Sequence, residues 1–359
     1  MHYELTPKIT LIVRGPASVT LLTGQAAILS APLQPKLTKT VPQNRQLPLE
    51  TQTYAQLDVV LGKSAEIFEV HGSSIPESWR AAAAALTAMG EGRVIILGRT
   101  DAGKSTLCVH LVNKLLGKIE SLRVIDADIG QSDLGPPTTI SRAVPTKPIA
   151  SLPELSSNAR VFIGHTSPGY VERKLIRGIQ RLSMEDKRTL TIINTDGWVE
   201  DWDAIRYKST LVSEVDADLV LGLAAEDELQ PILSGVRSRA MKVNVANEIL
   251  ERSRADRRNI RFDSYRRFLS GGVRSRVESS NLQITAPKNA PSVSPSNLAN
   301  LRNLIVGILN QDEYLVQIGI LVGIEKDALV IYSTPAQEIR RIELGFVKLS
   351  TSGRELGFL

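Results

Sequence analysis

The chain has 359 residues, of which 42% are hydrophobic, so it is long enough to bury a substantial core and to form two or three domains. Its single cysteine, Cys108, excludes an intramolecular disulfide and a metal site made of cysteines alone. No apolar run reaches the roughly 18 to 20 residues of a membrane span, and the amino terminus lacks a secretory pattern, so we expect a cytoplasmic protein with no membrane partner. The formal net charge of +5 fits an anionic partner.

The first 75 residues favour a small β-sandwich or barrel. Glycine, proline and asparagine separate three runs of β-type composition, at residues 8–13, 17–22 and 57–61. An alanine-rich segment at residues 77–89 then predicts one helix, which Gly90 ends. We therefore expect an amino-terminal domain at residues 1–75.

Residues 76–280 are predicted to form an α/β domain, because short apolar strands alternate there with amphipathic helices. This rhythm is typical of a parallel sheet with helices on both faces. The predicted strands are residues 94–97, 122–126, 160–164, 190–194, 219–223 and 242–245. Three prolines predict a linker at residues 281–298, and short strands return after it, so residues 299–359 are expected to form a small β-barrel.

A phosphate-binding loop of the P-loop type follows the first of these strands. Its residues are Gly98, Arg99, Thr100, Asp101, Ala102, Gly103, Lys104 and Ser105, with Thr106 next. The spacing matches G-x-x-x-x-G-K-[ST] between a strand and a helix. Backbone N–H groups and the helix amino terminus would hold the ATP phosphates, Lys104 would reach the β- and γ-phosphates, and Ser105 would bind Mg²⁺. The segment therefore predicts ATP·Mg²⁺ binding.

Two carboxylates end the next predicted strand. Asp126 and Asp128 lie two residues apart and would face the same side, where both could approach the Mg²⁺ and the γ-phosphate. One carboxylate could organise the metal shell, and the other could accept a proton from an attacking hydroxyl. We expect Asp128 to be the general base, with a structural or metal-shell role as the alternative.

An arginine-rich segment follows the last predicted parallel strand. Between Arg252 and Arg276 there are nine arginines and two acids. Arg257 and Arg261 are four residues apart and would share one helix face, able to contact ATP phosphates. A solvated helix face is the alternative. For Trp79, stacking on adenine and a role at a domain interface are both open.

Several separate segments together resemble the polynucleotide 5′-hydroxyl kinase family. The family includes the kinase subunit of the messenger-RNA cleavage and polyadenylation factor and nucleolar pre-ribosomal-RNA kinases, and the archaeal-type single-chain members are most similar. The segments are residues 14–17, 75–79, the P-loop, 126–131, 135–137, 164–169, 194–199 and 257–261. The resemblance covers nearly the whole chain.

The resemblance implies a role for each matching residue. Asp128 would activate the 5′-hydroxyl, Gln131 would be an active-site metal or water ligand, and Thr166 would clasp the substrate phosphate. Asp126, which the strand end suggests for the metal shell, is the remaining predicted metal ligand beside Ser105. Trp198 would stack on the terminal nucleobase, for which a core tryptophan is the alternative, and Arg257 with Arg261 would form the lid. The chain departs from the family after Val199, where Glu200, Asp201, Trp202 and Asp203 replace small residues.

The function implied is transfer of the γ-phosphate of ATP to the 5′-hydroxyl end of single-stranded RNA or DNA, with ATP and Mg²⁺ as cofactors. One alternative is a non-catalytic ATP-bound scaffold for RNA-processing proteins. Another is a nucleotide-driven switch or transport ATPase of the same P-loop class. The sequence leaves open the preference for RNA or DNA and the formation of homo-oligomers.

Overall fold

A computed structural model describes residues 1–184, 188–288, 290–336 and 339–359. The chain divides into two compact units. The first consists of Met1–Val124, Val144–Ser156 and Asp186–Ser253, and the second of Ile125–Ala143, Ser157–Glu185 and Arg254–Leu359. Among the residues described, no helix is both long and apolar enough to cross a membrane.

Nine strands form two antiparallel sheets at the amino terminus of the first unit. They are β1 (His2–Leu5), β2 (Ile9–Arg14), β3 (Ala17–Gly24), β4 (Ala27–Ile28), β5 (Ala31–Pro32), β6 (Thr38–Val41), β7 (Gln46–Glu50), β8 (Ala55–Leu61) and β9 (Glu66–His71). The strand orders are β1-β8-β3-β6 and β5-β4-β7-β2-β9. In β3 and β8 buried residues mostly alternate with less buried ones, because one face of each strand meets the core.

Strands and helices alternate through the middle of the chain. They are α1 (Glu77–Met89), β10 (Gly92–Leu97), α2 (Lys104–Leu115), β11 (Leu122–Ala127), β12 (Thr139–Ala143), β13 (Ser157–Phe162), α3 (Glu172–Ser183), β14 (Leu190–Thr195), α4 (Trp202–Glu214), β15 (Leu219–Ala224), α5 (Gln230–Leu233), β16 (Arg239–Asn244) and α6 (Arg254–Leu269). In the first unit β14, β10, β15 and β16 pair in parallel in that order. β14 and β15 are buried at every residue, as expected for strands covered on both faces.

The prediction of an entirely parallel sheet is wrong for β13. This strand pairs antiparallel with β12, which sequence patterning did not predict. The connection between them, residues 144–156, contains one short 3₁₀ turn at Leu152–Glu154 and no α-helix. Parallel pairing needs a crossover, usually a helix, so the chain instead turns back on itself. The P-loop fold is therefore built on a mixed sheet.

The carboxyl-terminal sheet lies in the second unit. Its elements are β17 (Val273–Glu278), β18 (Gln283–Thr285), α7 (Leu298–Leu301), β19 (Leu304–Leu309), β20 (Leu315–Ile324), β21 (Ala328–Ser333), β22 (Arg341–Leu349) and β23 (Glu355–Phe358). The strand order is β17-β21-β20-β19-β22-β18, with β23 also paired to β22. Only β18 and β22 among these pairs are parallel. Two strands of this sheet thus lie before residue 298, within or ahead of the segment predicted as a linker.

Candidate functional site

The P-loop joins β10 to α2, and its two glycines meet different requirements: Gly98 has no room for a side chain, and Gly103 has a backbone conformation that favours glycine. A Cβ at Gly98 would lie 2.7 Å from the carbonyl oxygen of Leu223. Gly103, at the start of α2, has φ of 96°, in the left-handed region that glycine adopts without strain. These two glycines let the backbone pass close to β15 and turn into the helix, which leaves the first N–H groups of α2 at the loop.

Lys104 and Ser105 begin α2 and are held by polar contacts in the loop. The side chain of Lys104 is buried, and its Nζ donates to the carbonyl oxygen of Arg99 at 2.8 Å. Ser105 Oγ accepts a hydrogen bond from Asn194 Nδ2, at the end of β14, at 3.3 Å. The predicted phosphate ligand, Lys104, and the predicted Mg²⁺ ligand, Ser105, are therefore positioned by backbone and side-chain contacts of the first unit.

Arg252 fixes the P-loop from a distant part of the chain. Its backbone N donates to Asp101 Oδ2 at 3.0 Å, and its Nη1 donates to Asp101 Oδ1 at 2.9 Å. Arg252 Nε also donates to the carbonyl oxygen of Asn44 at 2.9 Å. Asp101 has φ of 61°, so two charge-assisted bonds hold a residue in a strained backbone conformation. From the sequence, Arg252 was predicted only as part of a basic segment.

A buried ion pair supports the loop that carries Trp198. Lys208 Nζ lies 2.8 Å from Asp196 Oδ2, and both side chains are almost completely buried. Asp196 Oδ1 accepts a bond from the backbone N of Trp198 at 3.0 Å. Gly197, between them, lies so close to Thr100 of the P-loop that any side chain would overlap it. The Trp198 loop is thus packed directly against the P-loop.

Trp198 itself is held by two neighbours. Its ring stacks on Tyr207 with centroids 5.8 Å apart and an interplanar angle of 25°. Its indole Nε1 donates to Asp201 Oδ2 at 2.6 Å, and the other oxygen of Asp201 caps α4 by accepting from Ala204 N at 2.8 Å. Trp198 is half-buried, whereas Trp202 is 78% exposed. Trp198 therefore has a fixed ring orientation and keeps part of its surface accessible.

Asp126 organises the acidic loop of the second unit. Its Oδ2 accepts bonds from Asp133 N at 2.6 Å, Leu134 N at 3.1 Å and Ser132 Oγ at 3.2 Å. Complete burial raises the pKa of Asp126 to about 7, and repulsion by Asp133 and Asp128 adds to the rise, while the two backbone N–H groups lower it in part. The strand end is therefore built around this carboxylate.

Asp128 is half-buried and shapes the tip of the same loop. Its Oδ1 accepts bonds from Gly130 N at 3.1 Å and Gln131 N at 2.9 Å. The Gln131 side chain donates through Nε2 to Gly130 O at 2.7 Å and to Arg257 O, in the first turn of α6, at 3.4 Å. The structure thus brings Asp128, Gln131 and Arg257 together.

Thr166 lies against the same acidic loop. A Cβ at Gly130 would come within 2.9 Å of the carbonyl oxygen of Thr166, so this close approach requires glycine. The residue before it, His165, packs its ring on Phe358 and Phe346, with centroids 5.1 and 5.4 Å away. Burial lowers the pKa of His165. The segment of Thr166 is therefore supported by an aromatic cluster that includes the carboxyl-terminal sheet.

Arg261 forms a bidentate ion pair that the sequence did not predict. Its Nε donates to Glu355 Oε1 at 2.6 Å and its Nη2 to Glu355 Oε2 at 2.9 Å. Burial acts to lower the pKa of Arg261, but the bonds and charge of Glu355 outweigh it, and the charge of Asp128 adds to the rise. Glu355, on β23, therefore fixes the plane of this guanidinium.

Trp79 is a core residue. It is 1% exposed, and its indole Nε1 donates to the carbonyl oxygen of Asn244 at 2.8 Å. Its ring also lies 5.9 Å from the ring of His110. Stacking on adenine, which the sequence had left open, is excluded because both faces of a ring this buried are covered.

The predicted site residues fall into two groups, one in each unit. The P-loop and Trp198 lie in the first unit, and the second unit holds Asp126, Asp128, Gln131, Thr166, Arg257 and Arg261. Three supporting residues were missed, namely Lys208, Arg252 and Glu355. For Lys208 a signal existed, because a lysine among apolar residues of an amphipathic helix indicates a buried partner.

Comparison with known proteins shows what the chain is similar to. A sequence model described as the mRNA cleavage and polyadenylation factor CLP1 P-loop matches residues 98–271. The polyribonucleotide 5′-hydroxyl-kinase of Pyrococcus furiosus is 27% identical over 320 residues, which are 74% of this chain and 90% of that protein. Residues 98–271 are thus similar to the CLP1 P-loop family, and most of the chain is similar to archaeal polyribonucleotide 5′-hydroxyl-kinases. The resemblance predicted from the motifs is thereby confirmed.

The chain is also similar to CLP1 proteins. The CLP1 homologue of Arabidopsis thaliana is 24% identical over 343 residues, covering 83% of this chain and 76% of that protein. Among solved structures, Clp1p in the wild-type Clp1p–Pcf11p complex superposes with a TM-score of 0.77 over 97% of each chain, at 13% identity. That similarity confirms the fold, with a P-loop domain between small β domains.

Proposed function

We propose that this chain is an ATP-dependent polynucleotide 5′-hydroxyl kinase. The observation that carries the proposal is that two carboxylates of one loop differ in burial and position. Asp126 is fully buried and holds the loop, whereas Asp128 is half-buried at its tip, within the electrostatic field of Arg261. A carboxylate so placed suits proton transfer from a hydroxyl nucleophile. Archaeal relatives that align over most of the chain bear the name of this activity.

The P-loop fits the triphosphate of ATP. The space beside Gly98 is too small for a side chain, and Gly103 turns the backbone so that the first N–H groups of α2 remain unbonded within the helix. Lys104 would exchange its bond to the Arg99 carbonyl for one to the β- and γ-phosphates. Backbone N–H donors at a helix amino terminus are a favourable site for an anion of this size.

Mg²⁺ would be held by Ser105 and the phosphate oxygens, and the assignment of Asp126 and Gln131, which lie in the second unit, to the metal site stays a prediction. When bound, the ion neutralises charge that builds up on the phosphates during transfer. The donors are hydroxyl, carboxylate and amide oxygens, which are the ligands that Mg²⁺ prefers. Because Asp126 Oδ2 already accepts three bonds, we expect its contribution to be made through Oδ1.

The transfer itself is a direct in-line displacement. The 5′-oxygen of the polynucleotide forms a bond to the γ-phosphorus while the bond from that phosphorus to the β,γ-bridging oxygen breaks, and ADP leaves. Asp128 accepts the hydroxyl proton and later releases it to water. Arg257 and Arg261 would stabilise the charge on the transferred group. Glu355 occupies two of the five N–H donors of Arg261, which leaves the others for phosphate.

A labelling assay tests this function. The purified protein is mixed with γ-labelled ATP, Mg²⁺ and oligonucleotides that carry a 5′-hydroxyl or a 5′-phosphate, in RNA and DNA forms. We expect label only on the oligonucleotides that carry a 5′-hydroxyl. Comparing the extent of labelling of the RNA and DNA forms will show which nucleic acid is preferred. ATP binding without any label would instead favour a scaffold for RNA-processing proteins.

Three further expectations from the sequence stay predictions. They are assembly with RNA-processing proteins, assembly with further copies of this chain, and a cytoplasmic location.

Trp198→Ala is expected to weaken binding of the polynucleotide without changing ATP binding. Stacking of one base on an aromatic ring contributes about 1–3 kcal/mol, so KM for the oligonucleotide should rise about fivefold to 150-fold. Steady-state kinetics with each substrate varied in turn will measure this. Trp202→Ala is the matched control, because Trp202 is exposed and lies four residues away. If the control loses oligonucleotide affinity and Trp198→Ala does not, the platform is Trp202.

A further inference from the structure

A basic groove lies in the second unit beside α3. It encloses about 280 Å³ between α3 and the strands β18 and β22 of the carboxyl-terminal sheet. Six ionisable side chains line it: Lys174, Arg177, Arg181, Arg341, Glu313 and Glu343. Four cations thus face two carboxylates, so the groove carries a net positive charge. We call it the α3 groove.

Three of the four cations are fixed in the walls. Lys174 Nζ contacts Glu343 Oε1 at 2.6 Å and donates to the carbonyl oxygen of Ile163 at 2.8 Å. Arg341 Nη1 lies 2.9 Å from Glu313 Oε1, and the guanidinium of Arg181 lies 4.3 Å from the ring centre of Tyr314. Because these contacts fix the orientation of the side chains, less conformational entropy is lost when an anion binds.

Arg177 differs from the other three. It is exposed, and nothing within the described part of the chain forms an ion pair or side-chain hydrogen bond with it. Arg173, Arg177 and Arg181 are spaced four residues apart on α3, so they follow one face of the helix at intervals of about 6 Å. α3 contains four basic residues and one acid, Glu172. A row of charges with an unpaired guanidinium at its centre is suited to an extended polyanion.

We infer that the α3 groove binds the phosphodiester backbone of the polynucleotide, on the 3′ side of the nucleotide that accepts the phosphate. This inference rests on the proposed function. The groove begins at Lys174, whose partner Ile163 lies three residues before Thr166 on the same segment. Guanidinium groups bind phosphate oxygens in pairs with good geometry, which favours a nucleic-acid backbone. The acceptor end and the following backbone would then contact one continuous segment, residues 163–181.

The test compares substrate length. Arg177→Ala and Arg177→Glu are assayed with a 5′-hydroxyl dinucleotide and with an RNA of about 12 nucleotides. We expect KM for the longer RNA to rise about threefold to tenfold in Arg177→Ala and further in Arg177→Glu, with kcat and the dinucleotide kinetics unchanged. The plot of log binding constant against log salt concentration, measured by fluorescence anisotropy, has a negative slope. Its magnitude should decrease by about 0.7 in Arg177→Ala, which corresponds to the loss of one phosphate contact. Arg302→Ala, an exposed arginine of the same unit outside the groove, should change none of these.

The outcomes separate this inference from the proposed function. If the unmodified protein labels neither substrate, the proposed kinase function is wrong. If it labels both and Arg177→Glu changes neither KM nor the salt slope, or changes both substrates equally, the groove does not bind the backbone. Binding of an acidic peptide that Arg177→Glu abolishes, with RNA binding intact, would assign the groove to a protein and overturn the inference.

Discussion

Lys104→Ala is expected to lower kcat/KM for phosphoryl transfer by at least about 100-fold, the typical cost of removing one preorganised donor to developing negative charge. The buried Nζ of Lys104 lies in the P-loop, bonded to the carbonyl oxygen of Arg99. Alanine removes this charge from the β- and γ-phosphates and leaves the glycines that shape the loop unchanged. The measurement is label transfer to a 5′-hydroxyl oligonucleotide under steady-state conditions.

Lys114→Ala provides the control for this variant. Lys114 is a basic residue in the last turn of the same helix, remote from the P-loop along α2, so its loss should leave transfer intact. Thermal unfolding of both variants will show whether the fold is retained. Transfer by Lys104→Ala at more than about a tenth of the normal rate would contradict a role in phosphate binding.

Asp128→Asn is expected to slow transfer by about 100-fold to 10,000-fold, the usual contribution of a positioned general base, while ATP binding is unchanged. Asparagine has nearly the same shape, and its Oδ1 can still accept the bonds from Gly130 N and Gln131 N that form the loop tip. The substitution therefore removes the proton acceptor and preserves the loop. Single-turnover rates and ATP affinity, measured separately, distinguish the two effects.

Asp263→Asn is the matched control, because it makes the same change on an exposed face of α6, where Asp263 is 65% exposed. It should transfer phosphate at the normal rate. A normal single-turnover rate for Asp128→Asn would exclude Asp128 as the base. A variant that loses ATP binding as well would show that Asp128 acts through the structure of the loop or the metal site.

Local structure that depends on residues close together in the chain was predictable from the sequence. The spacing of Gly98, Gly103 and Lys104 specifies a loop between a strand and a helix, and the structure has that loop between β10 and α2. The helix predicted at residues 77–89 forms with those bounds, because alanine propensity and Gly90 act within a few residues. The antiparallel pairing of β12 with β13 was not predictable in this way, since strand direction depends on how residues 144–156 connect them.

The amino-acid sequence alone specified the P-loop, the acidic strand end, the arginine-rich segment and the family they indicate, because each is a short motif whose chemistry depends on spacing along the chain. Only the folded chain determined which partner each side chain has. Asp196 meets Lys208, Asp101 meets Arg252, and Arg261 meets Glu355, 94 residues away. Such pairs form between elements that are remote in sequence, and their strength depends on burial and distance, which no local pattern records.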